Sequence, residues 1–167
     1  MFFLSSHRYT KFALYQILIF CHSLVRWLVL ISLLYAIFRA YKGYASNAQF
    51  SKTDNAIRHW TVTVAHIQLV TGITLYTQGA VIKYFWNNFN EAIHNLGSAF
   101  FGLIHIILMI TAIILITIGS ALSKRKSTDK KKFKTMLIWY SISLFIIFIA
   151  IPWPFSPLAN RPYFKTF

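Results

Sequence analysis

Long uncharged apolar segments separated by short basic ones constrain the fold of this chain more than any other feature. A bilayer core about 30 Å thick is crossed by roughly 20 apolar residues of α-helix. The sequence predicts four such helices, over about residues 12–38, 59–81, 92–123 and 135–151. Pro152 and Pro154 end the last of them. Because short connections favour antiparallel neighbours, we expect residues 1–167 to form one all-α membrane domain, a four-helix up-down-up-down bundle.

The composition agrees with a membrane protein. Hydrophobic residues make up 57% of the 167 residues and the mean hydropathy is +0.56, which is too apolar for an ordinary soluble domain. Arg8 and Lys11 precede the first apolar segment as in a signal peptide, but no small-residue cleavage pattern follows. We therefore expect a retained first helix. The net charge of +14 comes from residues between the apolar segments, which argues against nucleic-acid binding.

The distribution of Lys and Arg predicts the orientation in the membrane, because these residues are retained on the cytoplasmic side. The two loops of one side carry eleven of them: Arg39, Lys42, Lys52, Arg58, Lys124, Arg125, Lys126, Lys130, Lys131, Lys132 and Lys134. The opposite side carries five: Arg8, Lys11, Lys83, Arg161 and Lys165. The sequence thus predicts a multi-pass protein of the bacterial inner (cytoplasmic) membrane with both termini outside the cytoplasm.

Three of the six histidines fall near the middle of three different predicted helices. At about 1.5 Å per residue, His22, His66 and His105 lie roughly 12–16 Å from the nearest helix end. Ionisable groups are costly in lipid, so we expect them to meet at one interior site. His59 and His94 share the helix faces of His66 and His105 by spacing, but they stand near opposite membrane surfaces.

The chemistry of these side chains leaves two interpretations open. Neutral imidazole is a common ligand of haem iron and of other metals, so at least two of the central histidines are expected to share a ligand. Each histidine taken alone is also explained by an interhelical hydrogen bond. No Asp or Glu lies within a predicted span, which argues against a carboxylate-rich metal site or a carboxylate proton relay.

Arg26 is the one charged residue within a predicted span. It follows His22 by four residues, so it lies on the same helix face about 6 Å nearer the cytoplasm. Its guanidinium either bonds backbone carbonyls or binds a carboxylate that a ligand brings in, and a haem propionate matches its bidentate geometry. His59, on the same cytoplasmic side, is placed to assist.

Short segments spread over nearly the whole chain carry a family resemblance. They are HSLVRW at 22–27, RHWTVTVAHIQLVTG at 58–72, FGLIH at 101–105, IPWPFSP at 151–157 and RP at 161–162. They resemble short bacterial four-helix membrane proteins labelled cytochrome b-like. The resemblance implies haem b (heme b) between the helices, with His22, His66 and His105 as the matching positions. Larger b-type cytochromes hold two haems with four histidines, so three matching positions argue against a second haem.

The leading hypothesis is a membrane haem b protein ligated by two of His22, His66 and His105. It would act as an electron-transfer subunit of a larger redox complex or with a quinone, not as a complete enzyme. One alternative is a copper or zinc site formed by the three histidines, although only Met109 among three methionines lies in the interior. Another is a non-catalytic accessory subunit whose histidines and Arg26 join helices. The absence of internal repeats argues against an independent transporter.

Overall fold

A computed structural model describes residues 2–157 and 159, with side chains from residue 12 onward. Every regular element in that part of the chain is helical, which confirms the predicted all-α class. The elements are α1 (Phe2–Ala45), α2 (Lys52–Gln78), α3 (Ala80–Asn87), α4 (Phe89–Ala92), α5 (Leu96–Ala99), a π-helical segment (Phe100–Ile104), α6 (His105–Arg125) and α7 (Asp129–Ala150).

The four long helices pack side by side around one apolar core. Helix α1 contacts α2 and α7, and α6 contacts the same two helices. Leu33, Ala65, Ile116 and Tyr140, one from each long helix, are fully or almost fully buried in this core. Each long helix therefore has two main neighbours, and the short helices α3 to α5 extend the packing at one end.

Among the residues that the structure describes, three segments are long and apolar enough to cross a membrane: Phe12–Ala45, Leu96–Arg125 and Asp129–Ala150. Their outward faces carry large exposed apolar side chains such as Leu28 and Ile31, and surfaces of this kind suit a lipid bilayer. Helix α2, which covers most of the predicted span 59–81, has the length but not the apolarity. Its threonines, together with His66 and Gln68, lower its hydropathy.

Local capping sets the ends of the long helices at positions different from the predicted ones. Helix α1 continues past residue 38 to Ala45 and stops before Asn47, whose φ of 51° is a left-handed conformation that Asn tolerates. A capping box of Ser51 and Asp54 starts α2 at Lys52, and the extended Gly79 ends it at Gln78, three residues before the predicted end. The side chain of Thr128 caps α7.

The predicted continuous helix over residues 92–123 is interrupted. Helix α4 ends at Ala92, and the side chain of Asn95 then caps α5 by accepting from the Ser98 N–H at 3.0 Å. The π-helical segment follows, with the His105 N–H bonded to the Phe100 carbonyl. At its centre, a Cβ on Gly102 would lie 2.3 Å from Phe85 of α3, so only glycine allows this contact. Single-turn π segments inside helices are frequent at functional sites.

The connections 46–51 and 126–128 lie at the same end of the long helices, here called the loop end. The Phe50 ring centroid is 4.8 Å from that of Phe133, and Lys130 Nζ is 5.4 Å from the centroid of Tyr44. A Cβ on Gly43 would lie 2.4 Å from Phe133, so this glycine lets α1 and α7 approach closely. The loops that carry most of the basic residues are therefore neighbours.

An ion pair joins α1 to α2 at the loop end. Arg39 Nη2 lies 2.7 Å from Asp54 Oδ1. Burial favours the neutral carboxyl, but hydrogen bonds from Ser51 and Arg39 outweigh it and hold the pKa of Asp54 below its usual range. A carboxylate with a lowered folded-state pKa stabilises the fold above its unfolded pKa of about 4, and that contribution is lost as the pH falls through the folded value. The pair is therefore intact at neutral pH.

Candidate functional site

His22 lies in the middle of α1, half-buried against α2. Gln68 Nε2 is 3.2 Å from His22 Nε2 and donates to the His22 carbonyl at 3.0 Å. Because an amide nitrogen only donates, His22 Nε2 accepts, and the proton of the neutral ring is on Nδ1. Two helices thus fix the orientation and the tautomer of this imidazole.

Two polar atoms at this contact are buried without a hydrogen-bond partner among the described residues: His22 Nδ1 and Gln68 Oε1. Gly72, one turn further along α2, provides room for the ring, because a Cβ there would lie 3.2 Å from His22 Cε1. An unsatisfied buried polar atom costs about 1–3 kcal/mol, and such atoms call for an explanation in a folded protein. The contact between α1 and α2 therefore places unsatisfied polar atoms of His22 and Gln68 in an apolar interior.

His105 is the first residue of α6 and directly follows the π-helical segment. Its Nδ1 lies 2.8 Å from the Ala150 carbonyl oxygen of α7. A carbonyl oxygen only accepts, so the proton is on Nδ1 and Nε2 has a lone pair. Outer hydrogen bonds of this kind orient most metal-ligating histidines. The rings of Phe100 and Phe101 flank the imidazole, with centroids at 5.7 and 6.4 Å.

His22, His105 and Arg26 form one neighbourhood, here called the His22–His105 region. His22 lies within electrostatic range of both His105 and Arg26, and His105 lies within range of Arg26. The Arg26 guanidinium carbon is 5.7 Å from the centroid of the Trp27 ring. His22, His105 and Arg26 therefore lie in the same part of the bundle, on α1 and at the start of α6.

His66 lies elsewhere. It is exposed, and its Nε2 is 3.2 Å from the Thr117 hydroxyl. Thr117 follows His105 by twelve residues on α6, which corresponds to about 18 Å along the helix. Metal–imidazole bonds are about 2 Å long, so one metal ion cannot bind both rings. The part of the chain that the structure describes also contains no group of three His, Cys, Asp or Glu side chains that could hold a metal ion. The predicted meeting of three histidines at one level is wrong.

The two outer histidines are also away from this region. His59 is exposed at the loop end, with its ring 5.9 Å from that of Trp60. It precedes Gln68, the α2 contact of His22, by nine residues or about 14 Å. His94 is exposed in the connection between α4 and α5. Its predicted alignment with His105 on one helix face is wrong, because the helix is broken between them.

Arg58 forms a buried polar cluster that the sequence did not predict. It is 6% exposed, and its Nη1 donates to both the carbonyl, at 3.2 Å, and the hydroxyl of Ser120 on α6. Nη2 donates to Asn55 Oδ1 at 2.9 Å, and the Tyr140 hydroxyl of α7 donates to the Arg58 carbonyl at 3.0 Å. In the sequence, Arg58 is only one of the basic residues that predict the orientation in the membrane. Nothing in the sequence relates residues 58, 120 and 140.

Comparisons with known proteins find no family model, no curated protein and no solved structure that matches this chain. The side chains of this structure are therefore the basis for assigning a function. The His22–His105 region is the candidate with the most suitable donor atoms. It contains two imidazoles from different helices, a guanidinium and a buried ring nitrogen without a partner among the described residues.

Proposed function

We propose that this protein is a small membrane haem b protein in which His22 and His105 would hold the haem iron. It would act as an electron-transfer subunit of a larger redox complex, because bound haem supplies one-electron redox chemistry. The observation that carries the proposal is the common neighbourhood of these two imidazoles and Arg26 in an apolar interior. The absorption spectrum of the purified protein tests it, through a Soret band and, on reduction, α and β bands.

The donor atoms fit this group. His105 keeps its proton on Nδ1 through the Ala150 carbonyl, which leaves Nε2 as the ligating atom. His22 Nε2 accepts from Gln68 Nε2 in this structure, so ligation through Nδ1 would require the ring proton to move to Nε2 and the Gln68 amide to turn, with Oε1 as the acceptor of that proton. Ligation would then satisfy His22 Nδ1 and Gln68 Oε1, which have no hydrogen-bond partner among the described residues.

Arg26 would bind a haem propionate, and this role predicts a change in midpoint potential. Arg26→Gln should keep the low-spin spectrum but lower the potential by roughly 40 mV, the one-electron equivalent of about 1 kcal/mol of lost charge interaction. The potential falls because removing a nearby positive charge favours the oxidised iron. Arg26→Lys should give an intermediate value, since it keeps the charge and loses the bidentate geometry.

Spectroelectrochemical titration of the purified variants measures this shift. Arg39→Gln is the matched control, because it removes a guanidinium from the same helix at the loop end, where Arg39 pairs with Asp54. An unchanged potential in folded, haem-loaded Arg26→Gln protein would reject the propionate role and leave the histidine ligands unaffected.

The membrane topology belongs to the same proposal. With α2 as a fourth span, the long helices form an up-down-up-down bundle whose basic loop end faces the cytoplasm. Both termini are then outside it, in a bacterial inner membrane. The contact between Phe50 and Phe133 supports this arrangement, because it brings the two basic loops to one end.

This topology gives an all-or-none prediction for reporter fusions. A green fluorescent protein fused after Phe167 should be dark, and alkaline phosphatase at the same position should be active. The same reporters inserted after Lys126, at the loop end, should give the opposite result. Strong fluorescence from the Phe167 fusion would reverse the orientation.

A second candidate function is favoured by a separate observation. All three central histidines contact a neighbouring helix through a ring nitrogen: His22 to Gln68, His66 to Thr117 and His105 to Ala150. Interhelical bonds of this kind also suit an accessory subunit that binds no cofactor. A colourless, metal-free, folded protein would favour this candidate. The copper or zinc alternative is weakened, because His66 is not near His105.

A further inference from the structure

Exposed cations without a carboxylate partner are concentrated at the loop end. The two loops there contain eleven Lys and Arg residues but only two carboxylates, Asp54 and Asp129. Both carboxylates are already paired, Asp54 with Arg39 at 2.7 Å and Asp129 with Lys132 at 2.8 Å. Eight exposed residues of this end form no ion pair within the part of the chain that the structure describes: Lys42, Lys52, Lys124, Arg125, Lys126, Lys130, Lys131 and Lys134. This surface is therefore suited to an anion from outside the chain.

Three of these cations continue rows of exposed apolar side chains on the helices that can cross a membrane. Within each row the residues are three or four apart, so they lie on one helix face. The rows, here called the cation-headed rows, are Lys42, Phe38, Leu34 and Ile31 on α1, Arg125, Ala121, Ile118 and Ile114 on α6, and Lys134, Ile138, Ile142 and Phe145 on α7. Each of the three helices therefore presents a positive charge next to an apolar strip.

The length of the rows matches one leaflet of a bilayer. In each row, eleven residues separate the cation from the last apolar side chain, which corresponds to about 16 Å along the helix. One leaflet contributes about 15 Å to the bilayer core. The exposed ring of Tyr41 is next to Lys42, and tyrosine rings are enriched at the headgroup level. The cations thus lie at the level of lipid headgroups, and the rows extend to about the midplane.

We propose that the loop end binds anionic phospholipids, whose phosphates accept from Lys42, Arg125 and Lys134 and whose acyl chains lie along the cation-headed rows. An acidic protein matches only the charges, whereas a phospholipid also matches the apolar strip next to each of them. Clusters of Lys and Arg beside membrane-spanning helices are typical of anionic-lipid binding. The inference does not depend on haem binding, because no row contains His22 or His105.

Native mass spectrometry of the purified full-length protein in detergent tests this surface by counting bound lipids. The probes are phosphatidylglycerol and phosphatidylcholine with the same acyl chains, added at equal concentrations. A Lys or Arg near the membrane surface contributes about 5-fold to the affinity for an anionic lipid, so phosphatidylglycerol should bind about 5-fold more tightly at each row. The combined variant Lys42→Gln, Arg125→Gln and Lys134→Gln should bind the two lipids about equally.

The matched control combines Lys124→Gln, Lys126→Gln and Lys130→Gln. It removes the same charge from exposed residues of the loop end that belong to no row, and Lys130 Nζ lies over the Tyr44 ring instead. This variant should keep the preference for phosphatidylglycerol. An equal loss of preference in both variants would show that net charge decides, not the rows, and would overturn the proposal.

Two further measurements use the wild-type protein and therefore do not depend on the folding of any variant. Equal binding of the two lipids would overturn the proposal and leave an acidic protein as the partner of this surface. Glycerophosphoglycerol, the headgroup without acyl chains, should not displace phosphatidylglycerol at 100-fold excess, on the order of the gain expected from the buried chains. Displacement at that excess would identify a site for soluble phosphate esters and would also overturn the proposal.

Discussion

We expect His22→Ala and His105→Ala each to abolish the low-spin haem spectrum or to convert it to a five-coordinate one. Each variant removes one of the two axial imidazoles of the proposed site, and iron with one remaining ligand changes its spin state or is lost. The two rings come from different helices, α1 and the start of α6, so the remaining imidazole cannot take the place of the one that is removed. Absorption spectra of the purified variants, oxidised and reduced, measure the effect.

His66→Ala and His94→Ala are the controls for this result. His66 contacts Thr117, about 18 Å along α6 from His105, and His94 is exposed between α4 and α5. Both variants should therefore keep a nearly unchanged spectrum. If His66→Ala removed the low-spin signal as completely as His105→Ala, the ligand pair proposed here would be wrong. An essential His94 would instead indicate a haem near the outer membrane surface.

Loss of the buried Arg58 guanidinium should have the largest effect on stability. We expect Arg58→Met to lower the free energy of unfolding by about 3 kcal/mol, because hydrogen bonds to a charged group contribute roughly 1.5–3 kcal/mol each. The substitution keeps an apolar stem and leaves Ser120 and Asn55 without their donor. For a chain of this length, the change corresponds to a midpoint of thermal unfolding roughly 6–12 °C lower.

Thermal unfolding in detergent, followed by circular dichroism, measures this change. Lys124→Met is the matched control, because Lys124 is an exposed basic residue at the same end of the helices. Its effect should stay within about 0.5 kcal/mol, as for most surface substitutions. Equal midpoints for the two variants would show that the Arg58 cluster does not join α2 to α6 and α7 as described.

Much of the fold follows from the sequence, because long uncharged segments in lipid must satisfy their backbone groups as helices. The prediction was wrong where local hydrogen bonding decides the structure. Between Ala92 and His105 the composition remains apolar, but Asn95 starts a new helix and the chain then forms a π turn around Gly102. A hydropathy pattern contains no information about such interruptions.

The sequence places some of the candidate residues relative to one another. His22 and Arg26 are four residues apart on one continuous helix, so their common face follows from helical geometry alone. The predicted position of His66 is wrong, because a depth counted along a helix does not show which neighbouring helix the side chain contacts. Its contact is Thr117 of α6, whereas Gln68, two residues later on α2, contacts His22. The break before His105 similarly changes the face on which that ring lies.

The central claim is tested most directly by the absorption spectrum of the purified, detergent-solubilised protein, combined with its metal content. The account predicts a Soret band, α and β bands after reduction, and one iron per chain as haem b. It also predicts that the reduced spectrum is low-spin, because two imidazoles complete the coordination. A folded protein that is colourless, whether it contains copper or zinc or no metal at all, would contradict the account.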